Sequence, residues 1–195
     1  MKFENLTVGF AVTGSFCTLK KTICHIEDLK REGANVIPIM SEITYNTDTR
    51  FGKAADFIAE IKKITGNEII TSVKGAEPIG PKNILDALII APCTGNTLSK
   101  IALGMTDSCV AMAAKANLRN ENPLVIAVST NDGLGASAKN IASLMNTKNV
   151  FFVPFGQDDA EKKPNSLVAD MTKIADTLDF ALNGKQIQPI LRINK

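Results

Sequence analysis

The chain has 195 residues, 45% of them hydrophobic, which suits one domain with a substantial core and excludes an intrinsically disordered chain. A formal net charge of +2, with acids and bases interspersed, gives no electrostatic basis for binding nucleic acid or a membrane surface. With a single histidine, a histidine-based triad has only His25 to use, and one chain cannot supply a multi-histidine metal site.

Leu6–Val12 is a short apolar run that opens into Thr13-Gly14-Ser15, the pattern of a buried strand followed by a turn. Leu19, Ile23, Ile26 and Leu29 recur at helical spacing between Cys17 and Lys30, Gly33 ends that helix, and Ala34–Met40 is a second strand. Thr44–Asp48 is expected as loop, Phe51–Ile64 as a helix and Ile69–Ser72 as a short strand, with loop again at Pro78–Pro81. Leu85–Ala91 is another buried strand, ended by Pro92. Helix follows over Asn96–Leu103 and Asp107–Asn117, then a strand over Pro123–Ser129. A glycine-rich stretch from Asn131 to Gly135 leads into a helix over Ala136–Met145. Val150–Phe155 is expected as the last strand, Phe155–Asn165 as a polar loop and Leu167–Leu182 as a final amphipathic helix. Strands alternating with helices predict an α/β fold: a single domain with a doubly wound, Rossmann-like parallel sheet and helices on both faces.

In such sheets ligands sit beyond the carboxyl ends of the strands. Four of these ends carry small or hydroxylated residues: Thr13-Gly14-Ser15, Ser41, Pro92-Cys93-Thr94-Gly95-Asn96-Thr97, and Ser129-Thr130-Asn131. Gly14 lets a phosphate approach the backbone and Ser15 offers a hydroxyl at a helix N-terminus, where free amides and the dipole favour anions. A turn glycine and a capping serine are the plainer reading of the same pair. The dinucleotide fingerprint is incomplete, because Ala11 stands at its first glycine and Ser41 where an acid is wanted. This tilts toward a mononucleotide, although Glu42 keeps a dinucleotide open. Pro92–Thr97 adds Gly95 for close approach and the amide of Asn96 for a ring edge, with helix capping by Thr94 or Asn96 as the alternative.

At these residues the chain resembles the flavin-dependent cysteine-decarboxylase superfamily, whose Pro-Ala-Ser-Ala-Asn-Thr motif is similar to Pro92–Thr97. Within that flavoprotein-type fold the chain resembles the dipicolinate synthase B-subunit branch, through residues 47–57, Asn131–Ala136, Val153–Asp159 and Lys163-Pro164. The resemblance spans essentially the whole chain. It implies bound FMN, with Gly14, Ser15, Ser41, Pro92, Thr94, Asn96, Thr97, Ser129 and Asn131 as cofactor-binding residues. It also implies an A-subunit partner carrying NAD(P), a homo-oligomer, and NAD(P)-linked dehydrogenation of a dihydrodipicolinate-type precursor to dipicolinate, a pyridine-2,6-dicarboxylate of bacterial endospores. The decarboxylases' Pro-x-Met-Asn-x-x-Met-Trp clamp is replaced by Val128–Gly135, the chain has no Trp, and His25 lies in the first helix. Cysteine decarboxylation is therefore the rival reading, and a non-catalytic scaffold for the A chain is the other.

A small dicarboxylate substrate calls for cations, and Arg50, with Lys53 one turn on, is the expected substrate-binding pair. A solvated surface arginine is the alternative, and solvation is the expectation for Lys163. His25 is expected to be packed or exposed, Cys93 to be a small apolar filler, and Cys17, Cys24 and Cys109 to lie in the core. The 4 cysteines form no C-x-x-C pair and have no zinc spacing. The N-terminus runs into a strand without a basic-then-apolar leader, and no apolar run is long enough to span a bilayer, so free thiols and a cytoplasmic location are expected.

Overall fold

The computed structural model describes residues 1–192. Strands β1 (Thr7–Val12), β2 (Asn35–Met40), β3 (Ala87–Cys93), β4 (Leu124–Thr130) and β5 (Val150–Phe152) run parallel in the order β2-β1-β3-β4-β5. Every residue of β3 is buried. Successive side chains of a strand point to opposite faces, so both faces of the sheet are covered. Helix α1 (Phe16–Arg31) packs against α8 (Ile174–Leu182) and α3 (Ala54–Thr65), whereas α6 (Cys109–Arg119) packs with α4 (Val73–Ala76) and α5 (Gly95–Ala102). Two further helices, α2 (Glu42–Asn46) and α7 (Ala138–Met145), follow the ends of β2 and β4. One hydrophobic core runs through all of these layers, from Phe3 to Ala181. Among the described residues no helix is long and apolar enough to cross a membrane.

The doubly wound parallel sheet is as expected, but its last third is not. The strand beginning at Val150 stops at Phe152, and the chain turns at Pro154, whose ring removes a backbone donor. A hairpin then forms from β6 (Phe155–Gln157) and β7 (Leu167–Ala169), and β7 pairs antiparallel with β4 at Ser129 and Thr130. Leu167–Ala169 is thus strand, and the final helix begins only at Ile174, after a single 3-10 turn capped by Asp170. A three-residue apolar run has no period of its own; the decisive fact is the edge of β4 that β5 leaves open, where unpaired backbone groups need partners.

Smaller differences have local causes. Ser41 caps a short helix where loop was expected, and the next helix starts at Ala54, whose amide donates to Asp48 Oδ1 at 2.8 Å. Ile70 makes a single parallel bridge to Ile39 instead of a strand, and Val73–Ala76 forms a helical turn capped by Ser72. Pro92 does not end β3, which continues through Cys93 with an irregular register between Ile90 and Cys93.

Candidate functional site

The strand order reverses direction between β1 and β3, and at that switch point a parallel sheet opens a crevice. Thr13 stitches its floor. The hydroxyl of Thr13, only 1% exposed, donates to the Pro92 carbonyl at 2.7 Å and accepts from the Thr94 amide at 3.1 Å. On one side of this stitch, the Ser15 hydroxyl lies 2.8 Å from that of Ser129, and Thr18 lies 3.0 Å from the same Ser129 oxygen. This hydroxyl cluster ties the start of α1 to the end of β4. Because Ser15 is engaged there, it makes no side-chain cap; the Thr18 amide donates to the Ser15 carbonyl at 3.0 Å, and the Phe16 and Cys17 amides of the first turn are left for a ligand. On the other side, Ser41 accepts from the Thr44 amide and pairs with its hydroxyl at 2.7 Å, while Thr94 caps α5 by accepting from the Thr97 amide.

Two adjoining clefts open over these residues. The larger, about 1040 Å³, is bordered by Gly14, Ser15, Thr94, Ser129, Asn131 and Arg50. The smaller, about 520 Å³, is bordered by Ser41, Asn96 and Thr97, and shares Gly14, Phe16 and Thr94 with the larger. The expected binding residues thus gather along one rim of the sheet instead of scattering over the surface. Pro92 is the exception: it is buried in β3, borders neither cleft and contributes only its carbonyl. Arg50 borders the larger cleft, with its guanidinium 4.8 Å from the centre of the Phe51 ring, whereas Lys53 sits at the N-cap of α3 and borders neither.

Gly95 has a different role from the one its sequence position indicates. A β-carbon there would lie 2.6 Å from Ser137 Oγ and 2.7 Å from both Asp132 Oδ1 and Thr130 Oγ1. Its neighbour is therefore the protein's own β4–α7 loop, packed over the N-terminus of α5, where the Pro-Ala-Ser-Ala-Asn-Thr motif carries alanine. Asp132 accepts hydrogen bonds from Thr130 and, at 2.9 Å, from Ser137. The Thr130 hydrogen bond is the main reason its pKa lies below the usual carboxylate value; partial burial opposes the shift and Ser137 adds to it. The same loop is pinned to the hairpin, since the Leu134 amide donates to the Asn165 carbonyl at 3.0 Å.

The hairpin supplies a wall of the larger cleft that the sequence does not reveal, with Asp158, Lys163, Ser166 and Asp170 lining it. Lys163, expected to be merely solvated, is paired with Asp158 at 2.6 Å on this wall. His25 also borders the cleft, with Nδ1 3.0 Å from Asp28 Oδ2. Thr18, Lys21 and His25 recur at helical spacing along α1 and present one stripe to the cleft, a pattern hidden because the core stripe dominates the helix. Two cysteine expectations need correction. Cys17 and Cys24 are exposed, because they fall off the stripe of Leu19, Ile23 and Ile26 that α1 buries. Cys93 and Cys109 are buried; burial raises both thiols, that of Cys109 to about 12.

Residues 2–183 match the Flavoprotein family. The chain is 51% identical to the B subunit of dipicolinate synthase from Bacillus subtilis over 184 residues, which is 94% of this chain and 92% of that one. The crystal structure of the dipicolinate synthase B subunit from Bacillus halodurans C superposes with a TM-score of 0.92 at 48% identity, covering 100% of both chains. The FMN-dependent cysteine decarboxylase SpaF shares the fold at a TM-score of 0.64 and 19% identity, covering 93% of this chain and 99% of that one. The chain belongs to the Flavoprotein family, in its dipicolinate synthase B-subunit branch.

Proposed function

We propose that this chain acts as the B subunit of a dipicolinate synthase, holding FMN over the β1/β3 switch point. With an A subunit that binds NAD(P), it takes part in the NAD(P)-linked dehydrogenation of a dihydrodipicolinate-type precursor to dipicolinate, in the cytoplasm of a sporulating cell. The observation that carries this reading is the continuous polar rim from Ser129 through Ser15, Gly14 and Thr94 to Ser41, built around an uncapped helix N-terminus. Flavin mononucleotide fits the residues present. The phosphate suits the first-turn amides of α1 with the nearby hydroxyls, and the amides of Asn96 and Asn131 suit the edge of a ring carrying carbonyl and N–H groups. The larger cleft is ample for such a ligand, since ligand sites commonly span about 300–1,000 Å³. When bound, the flavin supplies a ring able to take or give a hydride or single electrons.

The chain's own residues have more limited tasks. Thr13 fixes the spacing of the two strand ends. Asp132, held by two hydroxyls, keeps a negative charge near the rim and would be an acceptor for a ring N–H of the bound flavin. Arg50 takes a substrate carboxylate, a role Lys53 is less well placed to share. A homo-oligomer is part of the proposal: Ile43, at the edge of the smaller cleft, is 59% exposed, and Leu103, just past α5, is 70% exposed, and both offer apolar surface to a second copy.

The test is an absorption spectrum of the purified protein and its titration with FMN, followed by co-expression with an A-type partner and an assay for dipicolinate. Flavin bands, saturable uptake and partner-dependent dipicolinate formation are expected. A colourless protein that takes up no FMN yet still supports the A-type partner would favour the scaffold reading. Carbon dioxide release from a cysteine-type substrate would favour the decarboxylase.

A further inference from the structure

The larger cleft carries an uneven distribution of charge. Among its acids and bases, Lys163 is tied to Asp158 at 2.6 Å and Arg192 lies 4.0 Å from Asp170, so these four largely offset one another. Asp132 is held by the hydroxyls of Thr130 and Ser137 at the β4 end of the cleft. His25 has its Nδ1 3.0 Å from Asp28 Oδ2, and Lys21 and Arg50 remain. Neither has a carboxylate within 4.0 Å among the described residues, and both border the cleft from the side of α1 and the α2–α3 loop. Next to Arg50 in the chain, Phe51 is 41% exposed, borders the same cleft and carries the Arg50 guanidinium over its ring. An exposed aromatic ring in the same cleft as two unpaired cations offers a planar anion both a stacking face and charge.

We infer that Lys21, Arg50 and Phe51 form a subsite for a planar ring compound bearing two separated carboxylates, with one cation on each carboxylate and the Phe51 ring against the heterocycle. The inference rests on the proposed reaction for the identity of the ligand and adds Lys21 and Phe51 to its recognition. Two cations on different elements, one on a helix and one on a loop, suit two separate carboxylates flanking a ring nitrogen better than the concentrated charge of one phosphate. Arg50 suits bidentate capture, while Lys21 acts as a point charge on a flexible stem. Asp132, in the loop after β4, repels the dianion and so sets its direction in the cleft. The arrangement predicts that the chain holds the product class without its partner.

The experiment is calorimetric titration of the purified chain with pyridine-2,6-dicarboxylate, with pyridine-2-carboxylate and inorganic pyrophosphate as comparison ligands. The dicarboxylate should bind at least about tenfold more tightly than the monocarboxylate, the size of one charge-assisted contact. Lys21→Met should remove about that factor for the dicarboxylate and less for the monocarboxylate, and Phe51→Leu should weaken both. All three side chains lie at the surface of the cleft, so thermal midpoints close to that of the unaltered chain show that the variants are folded. No binding of the dicarboxylate, affinity unchanged by Lys21→Met, or stronger binding of pyrophosphate that displaces the dicarboxylate would each overturn the inference. FMN uptake and partner-dependent dipicolinate formation are read separately, so the proposed function can stand while this subsite falls, and the reverse.

Discussion

Replacing Gly95 with alanine tests whether the β4–α7 loop is built onto the start of α5. The added methyl would sit 2.6 Å from Ser137 Oγ and 2.7 Å from Asp132 Oδ1 and Thr130 Oγ1, inside a cluster whose atoms already bond one another. Overpacking of this kind costs about 1–3 kcal/mol. Disturbing the hydrogen bonds to the Asp132 carboxylate adds about 1–3 kcal/mol, while the better helix propensity of alanine returns at most about 1 kcal/mol. A net loss of roughly 2 kcal/mol lowers the thermal midpoint by about 4–8 °C for a domain of this size. Gly14→Ala is the matched control, because its β-carbon would meet only Ile43 Cγ2 at 3.4 Å and Phe16 beyond it, so stability should change by less than about 0.5 kcal/mol. Circular dichroism melts of the two variants beside the parent decide the matter. A Gly95→Ala midpoint within a degree of the parent would refute the packing argument.

Thr13→Val keeps the shape of the side chain but leaves the Pro92 carbonyl and the Thr94 amide without their partner, so about 2–3 kcal/mol should be lost in chemical denaturation. FMN affinity should fall with it, because the two strand ends are no longer held together. Asp132, whose folded pKa is depressed, contributes stability that is present above the unfolded pKa of about 4 and lost as pH falls through the folded value. The gap in melting midpoint between the parent and Asp132→Asn should therefore be open at neutral pH and close in strong acid; a gap independent of pH would contradict the assignment. Alkylation of the native protein followed by mass spectrometry should label Cys17 and Cys24 and spare Cys93 and Cys109, with FMN slowing the reaction at Cys17, which borders the larger cleft. Labelling of all four at similar rates would show that the core is not closed around β3 and α6.

The parallel sheet and the rim were legible because they depend on local features. Fully apolar runs such as Leu88–Ala91 mark strands buried on both faces, and hydroxyl or glycine residues directly after them mark strand ends, so Ser15, Ser41 and Thr97 could be placed from order along the chain alone. What those residues do to one another was not legible. Ser15 bonds to Ser129, 114 positions away, and Gly95 answers to Asp132 and Ser137, contacts that exist only once β1, β3 and β4 lie side by side. The hairpin was hidden for the same reason: Leu167–Ala169 becomes a strand because β4 offers an open edge to it, not because of its own composition. Local propensity and pattern set the elements and the direction of the sheet; the open edge, the partners of buried hydroxyls and the uncompensated charges of Lys21 and Arg50 are properties of surfaces that meet only in the folded chain.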